Sequence, residues 1–403
     1  MPTSRPLATT LLCVALAVPC AAPALAGRFT PASIPFDLYD NHVWLAVAVN
    51  GSAPLDFLLD TGASAPLLDR DAATRAGVAP GRATDHGSVG TGEASVTLQA
   101  ARDVRLDLHG VDVSAHTTYV MPLDGLMRVL GRGVDGVLGP ELLRQRAVRI
   151  DYEHHEITLA DPDSLPGVAA GDMIPLELRG GRPFVRATIT LTAGAPVQGL
   201  FVIDVGDGSA LSLHTPFVTR HQLLAAAGRT IGHYTHGLAG RSPERLGRIE
   251  TLQLGHLVVR GPLTAFAQAE RGSAADRSYD GAIGGEILRR FTVTFDYPHH
   301  RVFMQPNASF AEPFTPDMSG LSLVTGEAGG AAVEVEQVAD ESPATEAGIR
   351  EGDRLEAIDG VAVSGHSLDE IRGLFRQEGR SFALRLKRDL ETLEIHLRTR
   401  APF

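Results

Sequence analysis

The chain repeats itself at a near-constant interval, and this repeat limits its possible folds more than any other property. From Tyr39 to Leu68 it reads as a strand, a tight turn at Asn50-Gly51, a second strand, and then Leu58-Leu59-Asp60-Thr61-Gly62-Ala63-Ser64. From Arg182 to Leu213 the same order returns, with a turn near Gly194 and an ending in Val202-Ile203-Asp204-Val205-Gly206-Asp207-Gly208. Asp60 and Asp204 stand 144 residues apart. Further on, Asp135-Gly136-Val137-Leu138-Gly139-Pro140-Glu141 matches Asp280-Gly281-Ala282-Ile283-Gly284-Gly285-Glu286, and the strands ending in Asp151-Tyr152 and Asp296-Tyr297 follow, each pair offset by 145. The period is too long for a solenoid unit and fits two copies of a small domain. Alternating Val, Leu and Thr between glycines makes both copies β-rich, with short helices expected at 141–144 and 286–290.

The first 26 residues differ from the rest. Arg5, an apolar run from Leu7 to Val18 and Ala24-Leu25-Ala26 describe a cleavable secretory signal, which implies a periplasmic or secreted protein. Both cysteines, Cys13 and Cys20, lie inside it, so the mature chain has no disulfides. No later stretch approaches the roughly 20 apolar residues that span a bilayer. The chain carries 36 basic and 48 acidic residues, a net charge of -12, which argues against a broad nucleic-acid surface.

From about Gly320 the pattern changes to an α+β module. Ser342-Pro343 starts a short helix, Asp359-Gly360 marks a tight turn, and Ser367 with Glu370 forms a capping box ahead of an apolar face of Leu368, Ile371, Leu374 and Phe375. The expected division is 1–26 signal, 28–165 first lobe, 172–306 second lobe and 318–400 C-terminal module.

An aspartate delivered by an apolar strand into a glycine turn has its carboxylate held by freed backbone amides. Two such loops facing each other across a pseudo-twofold axis bring two carboxylates too close for both to ionise. They then share a proton and can activate a water between them.

Phe57 to Ser64, with Val137-Leu138-Gly139 downstream, resembles the retropepsin-like aspartic proteases. Asp204-Val205-Gly206 with Ala282-Ile283-Gly284 resembles the same signature in the second copy. The resemblance spans roughly 29–304. It implies a mainly β fold of two acid-protease barrel lobes, an endopeptidase acting on extended polypeptides, catalytic Asp60 and Asp204, and no metal or organic cofactor. Thr61, Gly62, Ser64 and Gly206 would support the loops, with Thr61 and Ser64 orienting the first carboxylate. Gly87, Gly90 and Gly92 sit where the family has its flap, and 237–240 is the counterpart in the second copy. The family places a Thr or Ser after each aspartate, and the two hydroxyls bond across the lobes. Val205 departs from this and would leave Thr61 without its partner. The competing readings are a non-catalytic peptide-binding protein on a degenerate scaffold, or a homodimer using Asp60 alone.

The C-terminal module resembles a PDZ domain, with Gly320-Leu321-Ser322-Leu323 as its carboxylate-binding loop. This implies a C-terminal peptide ligand beside the helix that starts at Ser367, and recruitment of substrate to a monomeric protease. His154-His155 and His299-His300 occupy equivalent places in the repeats. Adjacent strand residues face opposite ways, so these pairs are read as hairpin tips rather than metal ligands.

Overall fold

A computed structural model describes residues 32–86, 90–144, 146–164, 171–326 and 332–403. The signal segment and Gly87 lie outside the described residues. The fold is mainly β, and each repeat forms its own ten-stranded sheet. In the first, the central run is Leu67–Asp69, Gly136–Leu138, Leu55–Leu59, His42–Val49. In the second it is Leu211–Leu213, Gly281–Ile283, Val197–Ile203, Arg182–Thr190, and the strands on either side follow in the same order as in the first. The pairings of the two loop-bearing strands also coincide: Leu58 lies beside Val137 in parallel, and Val202 beside Ala282.

The aspartate that opens each downstream glycine motif has a structural task. Asp135 accepts from the Asp56 amide at 3.0 Å and Asp280 from the Leu200 amide at 2.8 Å, tying the motif to the strand that delivers the loop aspartate. Arg75 and Arg220 ion-pair with these same carboxylates.

A six-stranded sheet joins the lobes. Its centre is the antiparallel pair Ala147–Asp151 and Phe291–Asp296, in register Ala147 to Asp296 and Asp151 to Thr292. Because Asp151 and Asp296 are equivalent in the repeat, this register is itself two-fold symmetric. One continuous core runs through both lobes and includes Leu59, Ile150, Ile203, Val205 and Val293. The histidine pairs sit at the hairpin turns next to this sheet: His154 and His299 bond back to Asp151 and Asp296, while His155 and His300 take positive φ.

The expected short helices appear as a 3-10 turn at Pro140–Leu142 and an α-turn at Gly285–Leu288. One element was not anticipated. Helix Asp124–Leu130 packs against the first lobe's apolar cluster of Trp44, Leu58 and Val137, where the second lobe has only the turn Ser273–Ala275.

The C-terminal module keeps a separate core around Leu355, Ile371, Phe375, Phe382 and Leu384. Its sheet runs from the edge strand Leu321–Thr325 through Val333–Val338, Arg354–Ile358 and Ser381–Arg388 to Glu391–Arg398, with Val361–Ala362 paired beside Arg354–Ile358. The Ser342 cap with Pro343 and the Ser367/Glu370 capping box both form, the latter opening helix Leu368–Leu374.

Candidate active site

Each loop aspartate is placed by the strand before it and the glycine motif beside it. The Asp60 amide donates to Leu138 O and the Asp204 amide to Ile283 O, both at 2.9 Å. Past each aspartate the chain turns so that its own amides face the carboxylate. Gly62 and Ala63 donate to Asp60 Oδ1 at 2.7 and 2.8 Å, and Gly206 donates to Asp204 Oδ1 at 2.9 Å. Ser64 is exposed, so the second donor to Asp60 is the Ala63 amide rather than the Ser64 hydroxyl.

The two loops cross. A Cβ at Gly62 would overlap the Asp204 carboxylate, and one at Gly206 would overlap that of Asp60, so each glycine makes room for the opposite acid. The two carboxyl groups are thereby brought into electrostatic range of each other. Thr61, fully buried, donates from Oγ1 to Ile203 O at 2.6 Å and accepts from the Val205 amide at 3.0 Å. This corrects the expectation from sequence: Thr61 bonds the opposite main chain, not a hydroxyl, and Val205 does not leave it unpaired. Val205 itself packs into the shared core.

Both carboxyls sit above their ordinary range. Burial is the main cause for each; Asp204 is raised well above it, because the Asp60 charge and then that of Asp207 add to desolvation. At Asp60 the amides of Ala63 and Gly62 offset part of the effect. The pair therefore holds one proton to higher pH than an ordinary carboxyl would, and its titration belongs to the pair. Asp207 is half-buried and accepts from the Ser209 amide at 2.9 Å. His42 is a second residue missed from sequence. Only 7% exposed, it packs where a Cβ of Gly208 would overlap its ring.

Two hairpins meet beside the loops. Gly92 bridges Ala239, the Ala94 amide donates to Ala239 O, and the Ala239 amide donates to Thr91 O, the last two at 2.9 Å. Ala239 is the turn between Ile231–Gly237 and Gly240–Arg248. Gly90 lies against Leu238. Leu238 and Ala239 belong to an apolar cluster with Trp44, Leu58, Val137 and Ala63, which puts this hairpin tip over the wall next to Asp60. The second lobe offers a smaller wall of Phe184, Leu200, Val202, Tyr279 and Ala282.

His214 stands behind that second wall, its ring 4.5 Å from the Tyr279 ring, and burial pushes it down to about 4. An unfolded histidine titrates near 6.5, so between that pH and about 4 the unfolded chain binds the extra proton and stability falls as pH falls. Denaturant unfolding at pH 7 and pH 4.5 is expected to differ by about 2 to 3 kcal/mol less in His214→Gln than in the unaltered chain.

In the C-terminal module, the amides expected to hold a peptide carboxylate are engaged within the chain. Ser319 and Gly320 both donate to Asp317 Oδ1 at 2.8 Å, and Leu321 donates to Ser319 Oγ at 3.0 Å. Ser322 and Leu323 lie in the edge strand, paired with Gln337 and Val335.

Residues 45–142 match the aspartyl protease family and residues 334–388 match the PDZ domain family. No curated protein matches the chain.

Proposed function

We propose that the protein is an aspartic endopeptidase whose dyad is Asp60 and Asp204, one from each repeat of a single chain. The observation that carries this reading is the crossing of the loops: Thr61 joined to the opposite main chain, and each glycine admitting the opposite carboxylate. A buried pair that keeps one proton supplies both partners of general acid–base hydrolysis. Ionised Asp60 takes a proton from a water as its oxygen bonds the scissile carbonyl carbon, while protonated Asp204 gives its proton to the carbonyl oxygen. The resulting diol returns a hydroxyl proton to Asp204 as the C–N bond breaks and Asp60 passes its proton to the leaving nitrogen. Atoms and charges balance, and the pair ends as it began.

The paired hairpin tips would exclude water over an extended chain lying between the two apolar walls. Homodimerisation through Asp60 alone gains no support, because the second repeat already occupies the partner position opposite Thr61. Nor does Val205 favour a dead scaffold, since its amide keeps the interlobe bond. The test is cleavage of an unfolded, internally quenched protein substrate by the mature chain between pH 3 and 7. Cleavage with peptide products is expected, and no cleavage at any pH in that range would overturn the reading.

A further inference from the structure

The C-terminal module's edge strand Leu321–Thr325 and helix Leu368–Leu374 border the groove where an added peptide strand would lie. Leu323 and Thr325 are two residues apart, so their carbonyls leave the same edge of the strand. Neither awaits a ligand. Arg372 Nη2 donates to Leu323 O at 2.8 Å and Arg128 Nε donates to Thr325 O at 3.0 Å. Arg128 belongs to the first lobe's helix Asp124–Leu130, and its own carbonyl accepts from the Thr325 hydroxyl at 3.1 Å. Arg372 also donates to Val129 O at 2.8 Å, and a Cβ at Gly131 would overlap Leu368. The strand edge and the helix facing it are thus engaged by three residues of the first lobe, Arg128, Val129 and Gly131, held in place by ion pairs from Arg128 to Glu334 and Glu336.

The clamp reaches the other lobe as well. Glu336 lies 2.8 Å from His236, and Gln337 accepts from the Tyr234 amide at 3.2 Å, both on the hairpin whose tip covers the cleft wall.

We propose that this groove is a cis docking site for residues 128–131, and that it admits in trans only an extended internal peptide segment that displaces them. The Asp317 carboxylate already takes the amides of Ser319 and Gly320, so recognition runs through the strand edge and not through a terminal carboxylate. Displacement frees the first-lobe helix and leaves Glu336 to the second-lobe hairpin alone. That this regulates cleavage rests on the endopeptidase reading; the docking itself does not.

Hydrogen exchange of the full chain, followed by mass spectrometry, reads the docking without any activity. Arg128→Glu, which sets a carboxylate against Glu334 and Glu336, is expected to speed exchange at least tenfold in 124–131 and 321–325 and to leave 381–398 unchanged. Adding Glu334→Arg should restore protection. Unchanged exchange in 124–131 would overturn the proposal. Should Arg128→Glu not fold, Thr325→Val removes only the hydroxyl bond and should speed exchange about threefold in the same segments, with no change again overturning it. The second arm uses random heptapeptide pools with free-acid or amidated ends. Arg128→Glu is expected to retain both pools at least tenfold more than the unaltered chain. Equal retention by the two proteins, retention of acid-ended peptides alone, or retention by neither would each overturn the proposal. Altered exchange in a protein that cleaves nothing would sink the peptidase reading and leave the docking standing.

Discussion

Asp204→Asn is expected to abolish turnover, by at least about 10⁴-fold, and to make the protein more stable at pH 7. The loss follows from removing the group that holds the shared proton. The gain follows from the same burial. A carboxyl raised on folding binds its proton more tightly folded than unfolded, so folding takes up a proton above the ordinary carboxylate range, and stability falls as pH rises through that window. At pH 7 the unaltered chain bears this penalty and the amide does not; near pH 3.5, where the free carboxyl is also protonated, the difference shrinks. Urea unfolding at the two pH values should show a stabilisation on the order of 1 kcal/mol or more at pH 7 that diminishes in acid. Asp60→Asn should be as inactive but gain less, because amides from Gly62 and Ala63 already stabilise its anion. Retained activity in Asp204→Asn would leave Asp60 acting alone and sink the internal dyad.

Thr61→Val is the second large effect. The substitution keeps shape but removes the donor to Ile203 O and the acceptor of the Val205 amide, stranding two main-chain groups in a fully buried place. Leaving buried polar groups unpaired costs about 1 to 3 kcal/mol each, so a total loss of about 3 kcal/mol is expected, with turnover down at least tenfold as the carboxylates drift out of register. Thr61→Ser should stay within about 1 kcal/mol of the unaltered chain. The reciprocal change, Val205→Thr, restores the hydroxyl on the other loop and should be neutral or stabilise by about 1 kcal/mol. A destabilisation above about 2 kcal/mol would mean that the second loop cannot use a hydroxyl where the first one does.

The repeat made much of this site readable from sequence. Two strands ending in aspartate, each with a downstream Asp-Gly motif at the same offset, permit few arrangements other than two facing loops. Thr61's partner was harder to read, because a residue-type pattern counts side-chain hydroxyls and is blind to the Ile203 carbonyl and Val205 amide. Asp207 is hard to read for a related reason: no first-lobe equivalent exists, yet its charge bears on Asp204. Helix Asp124–Leu130 gave little signal. Its N-cap is Leu123 with no capping side chain, Gly125 sits in its first turn, and it spans only seven residues, so its stability comes from packing. The Asp317-Met318-Ser319-Gly320 turn did carry a visible cue, an aspartate two and three residues ahead of amides it can accept from, which competes with any outside carboxylate.

The sheet between the lobes also bears on how the chain is made. Strand Ala147–Asp151 has its neighbour on one side in Glu156–Ala160, but its other neighbour, Phe291–Asp296, is synthesised about 145 residues later. At roughly 5 to 20 residues per second, that edge waits on the order of ten seconds, open to pairing with any passing chain, including another nascent copy. Arg149 at its centre, bonded to Asp151 at 2.8 Å, puts charge on the strand for that interval, and the symmetric register ensures that the late partner closes the edge with the same geometry a second copy would have used.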